Sequence, residues 1–345
     1  MVQEISNFFL TAQQLEKIES GLFFITGTGR CGSTLLQSML MSHSRIFIPP
    51  ETGFFWKFDP AIKFKDPVPE EQLDQYIQSC LENWWWQALE LDNEAFINAV
   101  KNGMRSSRSV FLWLLWQLSR NTGKVKWGEK TSGHGLFIEK TLDWFPQAKF
   151  IHIYRDPRDV AASFRSQYWW TTDSIIPSAY HCREVLARLK HWAEKLGNDK
   201  FLCIQYEKLI SQPEVELRRV CEFLGEEFEL GMLNFFERQQ LGYVDVEGDW
   251  KSLTRQPLTK SRIRLYRQRL KPREIKLVER ILASLLTDYE YQPEQLSYRY
   301  DWRLINWLAL TFWQLKSLFT GIRTNFVDDN LVKERKRMLV SSDSP

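Results

Sequence analysis

Residues that could handle an anion crowd one stretch near the start of the chain, Ile25-Thr26-Gly27-Thr28-Gly29-Arg30-Cys31-Gly32-Ser33-Thr34-Leu35-Leu36. Its glycines let the backbone approach a ligand closely, and the free N–H groups of a helix start would point at negative charge. Gly27, Gly32 and Thr34 keep the spacing of the GxxxxGK[ST] loop that cradles triphosphates, but Ser33 stands where that loop has its lysine. Without the lysine nothing in the loop reaches a γ-phosphate, and Arg30 is the loop's only cation. The pattern therefore suits phosphate binding without processing of a triphosphate. The plainer alternative is a strand–turn–helix corner with incidental glycines.

Three more charged residues stand just beyond apolar runs. Glu51 follows Ile46-Phe47-Ile48-Pro49-Pro50, Lys130 follows Val125-Lys126-Trp127-Gly128-Glu129, and Arg155 follows Lys149-Phe150-Ile151-His152-Ile153-Tyr154. In an open parallel sheet, ligands bind beyond the carboxyl ends of the strands. That placement predicts one crevice holding the cations Arg30, Lys130 and Arg155 with the carboxylate of Glu51. Such a crevice suits a ligand with several anionic groups and one proton to be removed.

The elements that must position these residues are legible as periodicity. Leu22-Phe23-Phe24-Ile25 reads as a buried strand, and Leu35, Leu36, Met39 and Leu40 as one face of the helix after it. A short helix is expected over 11–19 with Leu15 and Ile18 inward. Residues 55–120 read as a helical, tryptophan-rich insert over the strand ends, whose aromatic stripes (Trp113 and Trp116) suit core more than ligand. Pro157 fits the first turn of a helix capped by Asp156, with Ser163 inside it. Phe201–Tyr206 is a further strand. Pro213–Leu224 is a helix with Val215, Leu217, Val220, Phe223 and Leu224 inward, and Pro272–Leu286 a strongly amphipathic one. His152 suits packing within its strand. The fold class predicted is α/β: a P-loop-type parallel β-sheet flanked by helices, with the helical insert over its C-terminal edge. Residues 1–299 form the α/β domain and 300–345 a tryptophan-rich helix with a polar tail.

Bulk properties bound the rest. A chain of 345 residues can bury a full core. A net charge of +3 with mixed signs leaves no nucleic-acid footprint, so any anion site is local. The five cysteines are scattered without a CxxC pair, as expected for reduced, mostly buried thiols, and no metal cluster is evident. Met1-Val2-Gln3-Glu4 has no basic start leading into an apolar core, so no leader or anchor is expected there. The segment 302–319 is broken by Arg303, Asn306, Gln314 and Lys316, which suits docking or peripheral membrane contact rather than spanning.

Taken together, the motifs resemble those of the sulfotransferase family. Thr26–Leu36 is similar to that family's 5′-phosphosulfate loop. Tyr154-Arg155-Asp156-Pro157-Arg158-Asp159-Val160-Ala161-Ala162-Ser163 resembles its 3′-phosphate motif, with Arg and Ser eight apart. Gln205-Tyr206-Glu207-Lys208-Leu209-Ile210 followed by Pro213-Glu214 also matches. The arginine in the loop and Pro50-Glu51-Thr52 are closest to the tyrosylprotein and carbohydrate-type branch, in a bacterial-like form. The resemblance implies sulfonate transfer from 3′-phosphoadenosine 5′-phosphosulfate to an acceptor hydroxyl or amine, with no metal. It implies that the loop residues Gly29, Arg30, Cys31, Gly32, Ser33 and Thr34 hold the 5′ end. Glu51 would then be the general base, and Lys130 would stabilise the transferring or leaving group. Arg155 and Ser163 would bind the 3′-phosphate, with Tyr206 near it or the adenine. Lys260 and Ser261 would belong to a late loop closing on the donor. The acceptor is a small molecule, glycan, lipid or peptide, and the setting cytoplasmic, with membrane association through 302–319 allowed.

The chain departs from the cytosolic small-molecule branch. That branch has a lysine in the loop, a histidine base and an Arg-Lys-Gly triplet before Gly-Asp-Trp-Lys. Here Tyr243-Val244-Asp245 precedes Gly248-Asp249-Trp250-Lys251, and no histidine lies near Glu51 in sequence. Two other classes compete: a divergent P-loop kinase, which would need a lysine for the β- and γ-phosphates and a carboxylate holding Mg²⁺, and a non-catalytic scaffold sitting on a membrane surface.

Overall fold

Five parallel strands form the centre of the computed structural model, which describes residues 12–166, 174–237 and 252–295. They are β1 (Leu22–Thr26), β2 (Ile46–Phe47), β3 (Lys126–Glu129), β4 (Lys149–Tyr154) and β5 (Phe201–Gln205), in the order β2-β3-β1-β4-β5. Phe24 of β1 is level with Glu129 of β3 and with Phe150 of β4, and Tyr154 of β4 is level with Gln205 of β5. β1 is apolar up to its last residue, as a strand covered on both faces should be, and β4 and β5 are largely so. Phe24 and Phe150 turn to one face and join the core of the helical insert, while Phe23, Ile25, Ile151 and Ile153 turn to the other and pack with Leu36, Met39 and Leu40 of helix Ser33–Met41.

The described residues divide into two compact units, one made of those up to Arg155 with those of Glu184–Ile263, the other of those of Asp156–Arg183 with those from Arg264 onward. The sheet belongs to the first. Its insert is helical as expected, with helices Leu73–Leu81, Trp84–Ala88, Asn93–Lys101 and Ser107–Ser119. The last of these begins with a capping box at Ser106 and Ser109 and lays Phe111 on Phe24 with ring centroids 5.9 Å apart. Trp86 and Trp113 are core side chains, stacked 6.2 Å apart. At the front of the insert, Trp85 reaches the sheet's carboxyl edge, where its Nε1–H donates to the Glu51 carbonyl at 2.7 Å.

In the second unit, helix Pro157–Arg165 has Asp156 at its N-cap, with the Asp156 side chain accepting from the Arg158 N–H. The Asp159 carboxylate takes the N–H groups of Arg264 (2.9 Å) and Tyr266 (2.7 Å). Arg158 is fixed by Asp156 and by Glu279 (2.6 Å) and lies over the Tyr266 ring. The charged residues after Arg155 therefore serve local architecture.

Two helix expectations are corrected. Val215 is 52% exposed, because it lies about 200° around the helix from Leu217, which faces the core with Val220 and Leu224. Helix 272–286 stops at Leu282: Ala283, at φ 38 and ψ −113, breaks it before Ser284–Asp288. The short helix at 12–20 is present with Ile18 buried, and His152 is fully buried in β4. Trp169-Trp170, Tyr243–Lys251, the 302–319 segment and the polar tail lie outside the described residues. Among the described residues no helix is long and apolar enough to cross a membrane.

Candidate active site

Because all five strands run the same way, the residue after each strand falls on one edge. Gly27 follows β1, Lys130 follows β3, Arg155 follows β4 and Tyr206 follows β5, and Glu51 stands four residues past β2. The glycine-rich loop turns out of β1 into helix Ser33–Met41. Gly32 caps that helix at φ 101, a left-handed conformation that an L side chain adopts only under strain. A Cβ there would also lie 2.4 Å from Tyr206 Cδ2, so the loop backbone rests directly on the tyrosine ring.

The Arg155 guanidinium covers the same ring at 4.7 Å, donates to the Arg262 carbonyl at 2.5 Å and approaches the Arg30 carbonyl at 3.4 Å. Arg30 itself holds φ 55. Burial, with repulsion from Arg155 and then Arg262, brings the Arg30 guanidinium down to about 10, which leaves it charged at neutral pH. Three guanidiniums thus repel one another beside a helix N-terminus whose own dipole is positive. Glu51 offsets part of that repulsion, and an anionic ligand would offset more.

Along the same edge stands the carboxylate, near enough to act on Arg30. Lys130, fully buried, places Nζ 2.5 Å from Glu51 Oε1 and 3.4 Å from Thr34 Oγ1. The ammonium therefore bridges the carboxylate and the loop. Ser33 Oγ lies 3.2 Å from Ser132 Oγ, and the Ser132 carbonyl accepts from Gly27 N–H and Thr26 Oγ1–H.

The structure thus brings Arg30, Ser33, Thr34, Glu51, Lys130, Arg155 and Tyr206 to one edge. Gly29 sits in the loop at φ 71, and the Cys31 thiol is buried and pushed up by that burial, so its sulfur is a packing group. Ser163 is buried in the helix of the second unit. Lys260 and Ser261 are exposed on a short 3₁₀ turn, and the member of that turn that engages Arg155 is Arg262. Arg262, Ser132 and Trp85 are site residues that the motifs did not single out. Ser132 was within reach, two residues beyond Lys130. Arg262 sits in an irregular polar stretch with no periodicity to mark it.

Comparison with known proteins follows the same lines. The profile of the sulfotransferase family matches residues 23–229. The omega-hydroxy-beta-dihydromenaquinone-9 sulfotransferase Stf3 of Mycobacterium bovis is 29% identical over 136 residues, 36% of this chain and 34% of that protein. A protein-tyrosine sulfotransferase of Drosophila melanogaster is 22% identical over 219 residues, 60% of this chain and 38% of that protein. The matched stretches span less than two thirds of either relative. Among solved structures, the sulfotransferase domain of the Synechococcus PCC 7002 olefin synthase superposes with a TM-score of 0.59 at 21% identity, covering 79% of this chain and 94% of that one. At that identity the likeness establishes the fold.

Proposed function

The chain belongs to the sulfotransferase family, and from that premise we propose that it moves a sulfonate from 3′-phosphoadenosine 5′-phosphosulfate to an acceptor hydroxyl. The observation that carries this reading is the convergence of Arg30, Arg155 and Arg262 beside the start of helix Ser33–Met41, next to the Glu51–Lys130 pair. A donor with anions at both ends of a nucleoside answers such a field. A triphosphate does not find the loop lysine that would reach its β- and γ-phosphates, since Ser33 stands at that position.

Roles follow from position. Arg30 and the N–H groups of Gly32, Ser33 and Thr34 hold the 5′-phosphosulfate. The acceptor oxygen attacks sulfur while the bond from sulfur to the bridging phosphate oxygen breaks. Glu51 takes the acceptor's proton, and Lys130 and Arg30 stabilise the charge growing on the leaving oxygen. Lys130 suits that task because it already touches both the base and Thr34. Arg155, with Tyr206 against it, takes the 3′-phosphate by charge-assisted hydrogen bonds. Arg262, whose carbonyl Arg155 grips, adds its own charge from the Lys260–Arg262 turn.

The acceptor is a small molecule or a peptide whose hydroxyl adjoins an aromatic or apolar face. Trp56 supports that class: it lies five residues beyond Glu51, is 43% exposed, and packs so closely on Gly133 that a Cβ there would fall 2.1 Å from the indole. The test is calorimetric titration with 3′-phosphoadenosine 5′-phosphate and, separately, with ATP–Mg²⁺, followed by sulfur-35 transfer to phenols, tyrosyl peptides and isoprenoid alcohols. Binding of the bisphosphate with labelling of one acceptor class supports the reading. Binding of ATP–Mg²⁺ without the bisphosphate refutes it.

A further inference from the structure

Behind the Glu51–Lys130 pair lies a second carboxylate that the proposed reaction does not use. Glu129, the last residue of β3, is completely buried. Its Oε1 accepts from the hydroxyls of Thr52 (2.9 Å) and Thr131 (2.7 Å). Its Oε2 accepts from the Thr131 N–H (3.1 Å) and meets His134 Nδ1 at 2.6 Å.

The two threonines are relays. Thr131 Oγ1 accepts from the Gly53 N–H and Thr52 Oγ1 from the Phe54 N–H, each at 3.2 Å. A hydroxyl has one proton, and here both protons point at Glu129. Two backbone N–H groups of the segment that carries Glu51 are thereby tied, through one hydroxyl each, to a single carboxylate. Thr52 is the neighbour of Glu51, and Glu129 and Thr131 flank Lys130. Both halves of the reactive pair are thus latched to the same buried group.

Resting on the reading of Glu51 as base, we propose that Glu129 is a positioning residue that holds Glu51 and Lys130 in register for proton removal. Its ionised form is required, because only a carboxylate can accept on both oxygens. Burial works to raise its pKa, but the charge of His134 and the hydrogen bonds from His134, Thr131 and Thr52 outweigh it, and the net direction is downward. His134 has no other polar anchor among the described residues: its Nε2 finds no hydrogen-bond partner and the ring is packed by Phe55 and Trp56. Glutamine in place of Glu129 keeps the shape and breaks the scheme. Its NH₂ group must face either two hydroxyls already committed as donors or the Thr131 N–H and His134.

The test reads Glu51 directly, without needing the acceptor. In protein carrying carbon-13-labelled glutamate, the Glu51 carboxyl signal is assigned by its loss in Glu51→Gln and titrated from acid to neutral pH. The charged groups that act on it are Lys130, in contact, and Arg30, further off. Glu129→Gln should raise the Glu51 midpoint by about one pH unit, because the carboxylate is no longer held on the Lys130 ammonium. Thr52→Val, which removes one arm and keeps the volume, should raise it by less. In a Lys130→Met background the upward shift from Glu129→Gln should be lost, since the contact that Glu129 aligns is gone and only the change of charge at Glu129 itself remains.

An unchanged midpoint in Glu129→Gln overturns the proposal whatever happens to thermal stability. So does an equal shift with and without Lys130. If Glu129→Gln does not fold, an unchanged midpoint in Thr52→Val overturns it alone. Failure of the sulfonate-transfer reading is seen separately, as no bisphosphate binding by the wild type.

Discussion

Gly32→Ala tests whether the loop and Arg155 are one device. Two costs can be read from the structure. Alanine at φ 101 is strained by about 1–3 kcal/mol. Its Cβ would stand 2.4 and 2.9 Å from Tyr206 Cδ2 and Cε2, so the ring must move and weaken its contact with the Arg155 guanidinium, worth about 0.5–2 kcal/mol. The sum is about 1.5–5 kcal/mol, and it must appear somewhere. If the loop keeps its shape, the folded state loses stability. If the loop relaxes, the ligand must restore it, and affinity for 3′-phosphoadenosine 5′-phosphate falls by about 10-fold to several thousand-fold. Urea unfolding and calorimetric titration of the same variant measure both shares. Their total should reach at least about 1.5 kcal/mol. A variant with stability and bisphosphate affinity both unchanged would show that the Gly32–Tyr206–Arg155 contact does not shape the binding site.

Other substitutions separate the roles. Arg155→Ala should weaken the 3′,5′-bisphosphate at least about tenfold more than adenosine 5′-phosphosulfate in calorimetric titration; equal losses would remove the 3′-phosphate role. Arg262→Ala should lower bisphosphate affinity about tenfold without lowering the melting temperature. It removes a cation that repels Arg30 but keeps the carbonyl that Arg155 uses, so a stability loss with intact affinity would contradict it. Glu51→Gln should bind the donor normally and turn over at least ~10²-fold more slowly on the labelled acceptor, and near-normal turnover excludes it as base. His152 gives a pH prediction: burial depresses it to about 4. The unfolded chain therefore takes up the proton first as pH falls. Stability from this group is complete above about 6.5 and is lost towards about 4, on the order of 3 kcal/mol in all. His152→Leu should flatten the acid limb of a urea-midpoint profile by that share, and an unaltered slope would place the acid loss elsewhere.

The parts of the site that were legible in the sequence share one property: a local pattern sets them. A strand buried on both faces is largely apolar, so its end is marked where polar residues take over, and in a parallel sheet that place is already at the ligand edge. Arg155 is marked this way after Ile153-Tyr154, Lys130 by the turn after its short strand, Glu51 by the prolines before it, and Arg30 by the glycines around it. What could not be read is set by satisfaction of polar groups across the fold. Glu129 ends its strand as Lys130 begins the loop, and nothing in the order of letters says that one is sealed and the other pairs with Glu51. The distinction appears only when Thr52 arrives from 77 residues away to donate to Glu129. Arg262 is similar, since its backbone carbonyl, which any residue would supply, is what Arg155 grips. Its side chain adds a third like charge beside Arg30, where repulsion already works against the fold. Like charges gathered beside a helix N-terminus suit an anionic ligand better than they suit packing, so the arginine cluster speaks for the ligand more strongly than the glycine-rich loop does.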